Sequence, residues 1–540
     1  MAAYCVPRDP LAWFVVKARR VLLSACAVAL VACGGGSPSE VQEPTGTSAL
    51  PGRLATNGTS EAVITTVLPP EVRPGNRFGT QAVLRDNGNT LIVAAPGDPL
   101  NPNTGQFDPI ASAGPPFRNW GSVHILARLP GPPFWQQTAL LRPAAGPDDN
   151  FASVLAVSGD GNTIAVGARF DRSRGSGIGS DPRDHEPVNG DSRFTTGAVW
   201  VYVKRDGIWQ LQEFIKAAQP GESDLFGASL ALSHDGNSMA VGAPLEGNRD
   251  DGAVHLFRRD AAGRWALADH IKASNAAAAG SIFGTAVQLS ADGRMLAVGA
   301  SGDSSADCRI NGNQQDNSQP GNGAVYVFER TPQDRMQQSA YIKACDRPGV
   351  NGFGQNMAMT PAGDLLVVGA PGDDAELLSC DNVPGSQLVG RVYVIARSGA
   401  GWVRSGALGA SNPAPFDVFG SDVKMSADGS TLAIGAAGAA GENGGGTGVD
   451  PPQDDHSGFV AGAIYVFRRG ADGTYTQAHY VKPPRVAVEG FIAIGDRFLN
   501  GLDLSDDGSV LVIGSNFAGP PPPNAPDVQQ GAVFVYDGLF

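Results

Sequence analysis

Along most of the chain the apolar residues fall in short runs cut by glycine-bearing turns, and no stretch keeps the spacing of an amphipathic helix. One pattern recurs. It begins Phe-Gly, continues as an apolar strand, turns at Asp-Gly or Asn-Gly, and returns as an apolar strand ending in Gly-Ala. A loop of variable length follows, and then a third strand that opens Gly-Ala-Val. Copies start at Phe78, Phe151, Phe226, Phe283, Phe353, Phe419 and Phe498. The clearest copy reads FGASLALSHDGNSMAVGAP over 226–244, then DGAVHLF over 251–257. Asp160-Gly161, Asp235-Gly236, Asp292-Gly293, Asp428-Gly429, Asp507-Gly508 and Asn87-Gly88 stand where a tight hairpin needs residues tolerant of positive φ.

A fourth strand follows in most copies. It opens on Trp135, Trp209, Trp265, Trp402 or Tyr475, with Met336 as the exception. Seven positions later stands a base, Arg142, Lys216, Lys272, Lys343 or Lys482, with Gly409 departing. Such a base either faces a ligand or pairs with a nearby carboxylate at the strand end. Seven units of four strands predict an all-β fold, a seven-bladed β-propeller. The last copy ends at GAVFVYDGLF without a fourth strand, while the run Glu61 to Leu68 precedes the first copy as a strand without partners. The N-terminal strand is therefore expected to complete the last blade and close the ring.

These residues resemble the FG-GAP repeat of integrin α-subunit N-terminal propellers, and more closely that of bacterial FG-GAP repeat proteins. Phe226-Gly227 with Gly242-Ala243-Pro244, and Phe353-Gly354 with Gly369-Ala370-Pro371, are full copies; Phe151-Ala152 and Phe498-Leu499 lose the first glycine. The resemblance covers about residues 61–540 and implies the propeller fold. Integrin propellers hold Ca²⁺ in the first hairpin on several aspartates. Here that hairpin is only Ser-x-Asp-Gly, as at Ser290 to Gly293, too few oxygens for calcium, so those sites do not carry over.

Residues 1–32 read as a lipoprotein signal peptide. Lys17, Arg19 and Arg20 precede an apolar run, Val21 to Ala32, that ends at Leu30-Val31-Ala32-Cys33. This resembles the bacterial lipobox, which implies lipidation of Cys33; the alternative is an ordinary signal peptide. Residues 33–60 have the composition of a flexible tether, and 61–540 form the propeller domain. Gly34 after the cysteine favours, by the same resemblance, the outer membrane, facing the periplasm or the cell surface.

Composition sharpens this picture. Gly and Pro together are 112 of 540 residues, 42% of the chain is hydrophobic and 17% charged, which excludes a helical bundle and a disordered tail. The net charge is -14, and losing residues 1–32 (Arg8, Lys17, Arg19 and Arg20 against Asp9) makes it -17. That argues against nucleic acid as a partner. An acid stands three residues after the Gly-Ala alanine in five copies, as Asp98, Asp171, Glu246, Asp303 and Asp373. These acids either cap the turn leaving the second strand or form a ring that binds a cation or a basic ligand. Calcium is the one candidate ion, and no cofactor is otherwise expected. His456 with Asp454 and Asp455 is a further, weaker metal set.

No G-x-S-x-G, C-x-x-C, H-E-x-x-H or P-loop is present, and no catalytic residue is assigned. In an oxidising compartment two of Cys308, Cys345 and Cys380 are expected to bridge, the pair being open. The chain reads as a monomeric, envelope-anchored binding or adhesion scaffold. Its acidic loops on one propeller face would take a protein or glycan ligand, without catalysis. The alternative is a propeller enzyme, a hydrolase or a quinoprotein-like dehydrogenase, with its site at the channel mouth.

Overall fold

The computed structural model describes residues 50–53, 63–70, 75–98, 120–132, 134–143, 150–184, 195–275, 280–344, 351–373, 388–399, 401–439, 448–451, 453, 462–482, 498–516 and 531–539. Among them lie seven antiparallel sheets with four strands each in simple meander order, two of the sheets gaining a fifth strand at one edge. The third blade, for example, runs Ser229–Leu232, Ser238–Ala243, Ala253–Arg259, Trp265–Ile271. The first strand of every blade touches the first strands of both neighbouring blades, around the whole circle. The first strands therefore line the axis and the fourth strands form the rim.

Burial follows from this radial order. Second strands such as Thr163–Ala168, Met295–Ala300 and Leu365–Ala370 are buried at every position because blades cover both of their faces, and in the first blade only Thr90 is partly exposed. Their unbroken apolar sequences match that. The rim strands alternate instead, as in Trp135–Leu141, because one face meets solvent. The hydrophobic clusters straddle blade boundaries. One joins Phe78, Val93 and Leu126 of the first blade to Val512, Val533 and Val535 of the seventh.

The Phe-Gly motif is the seam between blades. Phe226, Phe283, Phe353 and Phe419 form parallel bridges to Gly197, Gly252, Gly323 and Gly390, the glycines that open the third strand of the preceding blade. Those phenylalanines are fully buried. Gly323 shows why glycine is required: its φ is +78°, and a Cβ there would lie 2.2 Å from the Phe353 carbonyl oxygen. In the second blade the motif's own glycine is replaced, and Ala152 sits at φ 67°, a left-handed conformation that an alanine adopts at a cost.

The same bridge closes the circle, from Phe78 to Gly531. Val63–Val67 pairs antiparallel with Ala532–Asp537, joining Val63 to Asp537 and Val67 to Val533, and so supplies the fourth strand of the seventh blade. The expected closure by the N-terminal strand is thus observed. Outside it runs one further strand, Leu50–Arg53, within the stretch whose composition reads as a tether.

Loops also cover blade rims. In the second blade Ile178 bridges Ile215, and Gly177 and Gly179 donate to Ala217 and Phe214. In the fourth, the Asn311 amide donates to the Tyr341 carbonyl and its side chain accepts from the Tyr341 amide at 2.8 Å. In the sixth, Gly448–Val449 pairs with Tyr475–Lys482. Each return occupies the hydrogen-bonding groups of an exposed edge. The third blade has only the short connection 244–252 between its second and third strands, so its rim receives no such cover.

Candidate functional site

The recurring acid and the recurring base meet. Lys216 Nζ lies 2.5 Å from Asp171 Oδ1, Lys343 Nζ 2.7 Å from Asp303 Oδ1, and Arg142 Nη2 2.7 Å from Asp98 Oδ2. In the third blade Lys272 Nζ stands 3.6 Å from Glu246 Oε1. The acid leaves the second strand, the base ends the fourth, and the turn places them together within one blade. The acid's backbone works too. The amides of Asp98, Asp171, Glu246, Asp303 and Asp373 each donate to the Gly-Ala alanine carbonyl three residues back. Its carbonyl accepts the amide of the glycine that opens the third strand, as Gly323 to Asp303. The sixth blade keeps these backbone bonds at Ala439, and Lys482 there donates to the Ala439 and Gly462 carbonyls instead. Turn-capping and strand-end pairing therefore describe the same residues.

Asp98, Asp171, Asp303 and Asp373 are all at most 1% exposed. Around Asp303 the cage is completed by Tyr326 Oη at 3.0 Å, Tyr341 Oη at 2.7 Å and Asn275 Nδ2 at 2.9 Å. Burial by itself would favour the protonated acid. The Lys343 ammonium and the hydrogen bonds from Lys343, Tyr341 and Asn275 outweigh it and hold Asp303 below the usual carboxylate range. In the fifth blade, where Gly409 replaces the base, Tyr393 Oη donates to Asp373 Oδ2 at 2.6 Å.

The third blade differs in donor chemistry. Its aromatic positions hold His255 and His270, directly opposite one another on paired strands. His255 Nε2 lies 2.6 Å from Glu246 Oε2, and His270 Nε2 lies 2.7 Å from Glu246 Oε1. Burial opposes ionisation of Glu246, but hydrogen bonds from both imidazoles, with their charge, hold its carboxyl far below the ordinary range. His255 is buried and packs edge-on to Phe226, with ring centroids 5.1 Å apart.

The third blade is also where the sequence comparison lands. Residues 209–257 match the model of the FG-GAP repeat family. The match runs from the rim strand of the second blade to the third strand of the third, so one FG-GAP unit, read in sequence, spans two blades. A search of curated proteins finds no relative of this chain. Among solved structures, the RRP9 WD40 repeats are 12% identical, at a TM-score of 0.44 over 87% of this chain and 96% of that one. U3-55K is 11% identical, at 0.44 over 87% and 98%.

The hairpins between first and second strands are internally satisfied. Ser290 Oγ donates to Asp292 Oδ1 at 2.6 Å and accepts the Met295 amide at 2.9 Å, while the Arg294 amide donates to the same Asp292 oxygen at 3.0 Å. The same bonds recur at Ser158, Ser233, Ser426 and Ser505. Of each Asp-Gly pair only the glycine has positive φ; Asn87-Gly88 has both. In the first blade Ser122 Oγ contacts His124 Nε2 at 3.0 Å and donates to Asp98 at 2.7 Å. The acid thus holds the serine and not the imidazole, the reverse of a nucleophile–base–acid relay. Cys308 is disulfide-bonded. Cys33, Cys345, Cys380 and the His456, Asp454 and Asp455 set lie outside the described residues, as does the apolar run 21–32; no helix among the described residues is long and apolar enough to cross a membrane.

His270 escapes a reading of single motifs. Aligning the blades would have found it. His255 stands where other blades have Trp200, Tyr326, Tyr393 and Tyr465, and His270 where they have Phe214, Tyr341 and Tyr480.

Proposed function

We propose that this protein is a non-catalytic binding scaffold, held at the bacterial outer membrane through a lipid on Cys33, that engages a protein or glycan through several loops at once. The observation that carries the reading is the internal use of the repeated charges. The acid and base that recur blade after blade are spent on holding second strand to fourth, so recurrence marks architecture. Diversity lies in the insertions between second and third strands, which differ in length and sequence from blade to blade on a rigid ring. The FG-GAP match agrees with a binding role.

The test is a comparison of partners captured from envelope and surface extracts by the full chain and by deletions of 185–194 and 440–447. These deletions spare Asp171, Ile178 and Gly448, which the blades need. Partners lost on either deletion are expected; an unchanged partner set from both overturns the loop reading. The anchor is checked separately. Cys33→Ser should abolish incorporation of labelled palmitate and release the protein from the membrane fraction, and a variant still sedimenting with membranes would contradict it.

A further inference from the structure

We propose that Glu246, His255 and His270 form a binding site for a divalent transition-metal ion of the zinc class on the rim of the third blade. One carboxylate oxygen and two imidazole Nε2 atoms lie within 4.8 Å of one another. Two nitrogens and one oxygen are a donor set for zinc, cobalt or nickel, and a poor one for calcium. An ion about 2.0–2.2 Å from each atom spaces its ligands roughly 3.3 Å apart, wider than the 2.6 and 2.7 Å between imidazoles and carboxylate and inside the 4.8 Å that bounds the three donors, so the carboxylate withdraws by less than about 1 Å while the imidazoles close on the ion. Three protein ligands leave a fourth position for water.

The neighbouring blade shows that the arrangement is a built cage with changed donors. Asp303, Tyr326 and Tyr341 occupy the same three positions in the fourth blade and are joined by hydrogen bonds of 3.0 and 2.7 Å. A phenol is a weak ligand at neutral pH; an imidazole is a strong one. Replacing both phenols by imidazoles converts a hydrogen-bond cage into a chelating one on the same backbone. The third blade is also open where its neighbours are closed. Lys216 and Lys343 have no exposed side-chain surface beneath their returning loops, whereas the side chain of His270 is 43% exposed and that of Lys272 30%. The short connection 244–252 leaves a path to the donors.

The surroundings favour a cation. Burial pushes the Asp224 and Asp250 carboxyls up, and the charges of Glu246 on the first and Asp251 on the second add to it, so a cation entering here meets several acids. Lys272 is the built-in competitor: its ammonium stands 3.6 Å from Glu246 Oε1 and 3.8 Å from Asp251 Oδ2. On metal entry it can turn to Asp251. His255 Nδ1 has no hydrogen-bond partner among the described residues, so no outer carboxylate or carbonyl strengthens that ligand. The affinity should accordingly be moderate, in the micromolar range.

The test uses the full-length protein, free of any polyhistidine tag and stripped with chelator, titrated with Co²⁺ by visible absorption and with Zn²⁺ by calorimetry. One equivalent is expected, with a cobalt spectrum of low coordination number. His270→Ala, at a half-exposed position, should fold as the parent does and lose at least tenfold in affinity together with the metal-induced rise in Tm. Lys272→Met should bind more tightly than the parent. His479→Ala, which removes another rim histidine, should leave binding unchanged. Failure of the parent to take up either ion, or undiminished uptake by His270→Ala, overturns the site.

Discussion

At the scale of single residues, the buried ion pairs set the protein's sensitivity to substitution. Lys343 and Asp303 both have no exposed side-chain surface, so removing either leaves the other buried without its counter-charge. Lys343→Met should cost about 3–5 kcal/mol in chemical denaturation. Adding Asp303→Asn to it should recover most of that loss, because the penalty is the orphaned charge and the amide oxygen still accepts from Tyr341. A double variant as unstable as the single would refute this. The hairpin aspartates make a second prediction. For Asp160, Asp235, Asp292 and Asp507 burial works against the charge, but the serine hydroxyl and backbone amides outweigh it; for Asp428 the Ser430 amide leads. All five carboxyls lie below their ordinary values. A depressed carboxyl contributes stability above its unfolded pKa of about 3.9 and loses it as pH falls through the folded value. The denaturant midpoint should therefore fall between pH 5 and pH 2.5, and Asp292→Asn should make that fall shallower. An unaltered slope would mean that these turns do not titrate with folding.

At the scale of elements, the blade is where sequence and structure agree most closely. Alternation in the rim strands, unbroken apolar runs in the second strands and the Asp-Gly hairpins were all legible, because each reports its own local environment. The acids Asp98 to Asp373 and the bases Arg142 to Lys343 were legible as two regularities and not as one pair. What joins them is the return of the fourth strand past the end of the second, a contact between positions some forty residues apart, as in Lys216 with Asp171. The rim-covering role of Ile178 and Asn311 had no sequence signal, since Ile178 docks through backbone groups that any residue carries and Asn311 adds a side-chain oxygen that a loop asparagine offers in many settings. The seam motif yields a prediction at this scale. Ala152 stands at φ 67°, where Gly79, Gly227, Gly284, Gly354 and Gly420 sit in the other blades at 88–92°. Ala152→Gly should stabilise the protein by about 1 kcal/mol, the left-handed cost for a residue with a Cβ. A lower Tm for this variant would show that the alanine methyl packs better than it strains.

For the whole molecule, closure was legible from two incomplete copies at opposite ends of the chain, Glu61 to Leu68 and the unit beginning at Phe498. Beside the apolar cluster they share, the first and seventh blades are fastened through backbone by the strand Val63–Val67 and the bridge from Phe78 to Gly531. Deleting residues up to Pro69 removes the strand and bares the edge of Ala532–Asp537. That variant should unfold at lower denaturant and self-associate in a concentration-dependent way. A monomer of parental stability would show that the ring holds without the closing strand.

The fastening between Val63 and Asp537 also imposes an order in time. A ribosome finishes the closing strand among the first and its partner strand last. Six blades can assemble from neighbours already made, but the seventh has to wait for Ala532–Asp537. Until then the early strand, which can pair only with Leu50–Arg53, keeps an open β-edge, and the Phe78 side of the first blade lacks its glycine seat. The growing chain is thus an open arc with two adhesive ends. Its hazard is capture of another arc's end, and folding succeeds when closure within the chain outruns encounter between chains.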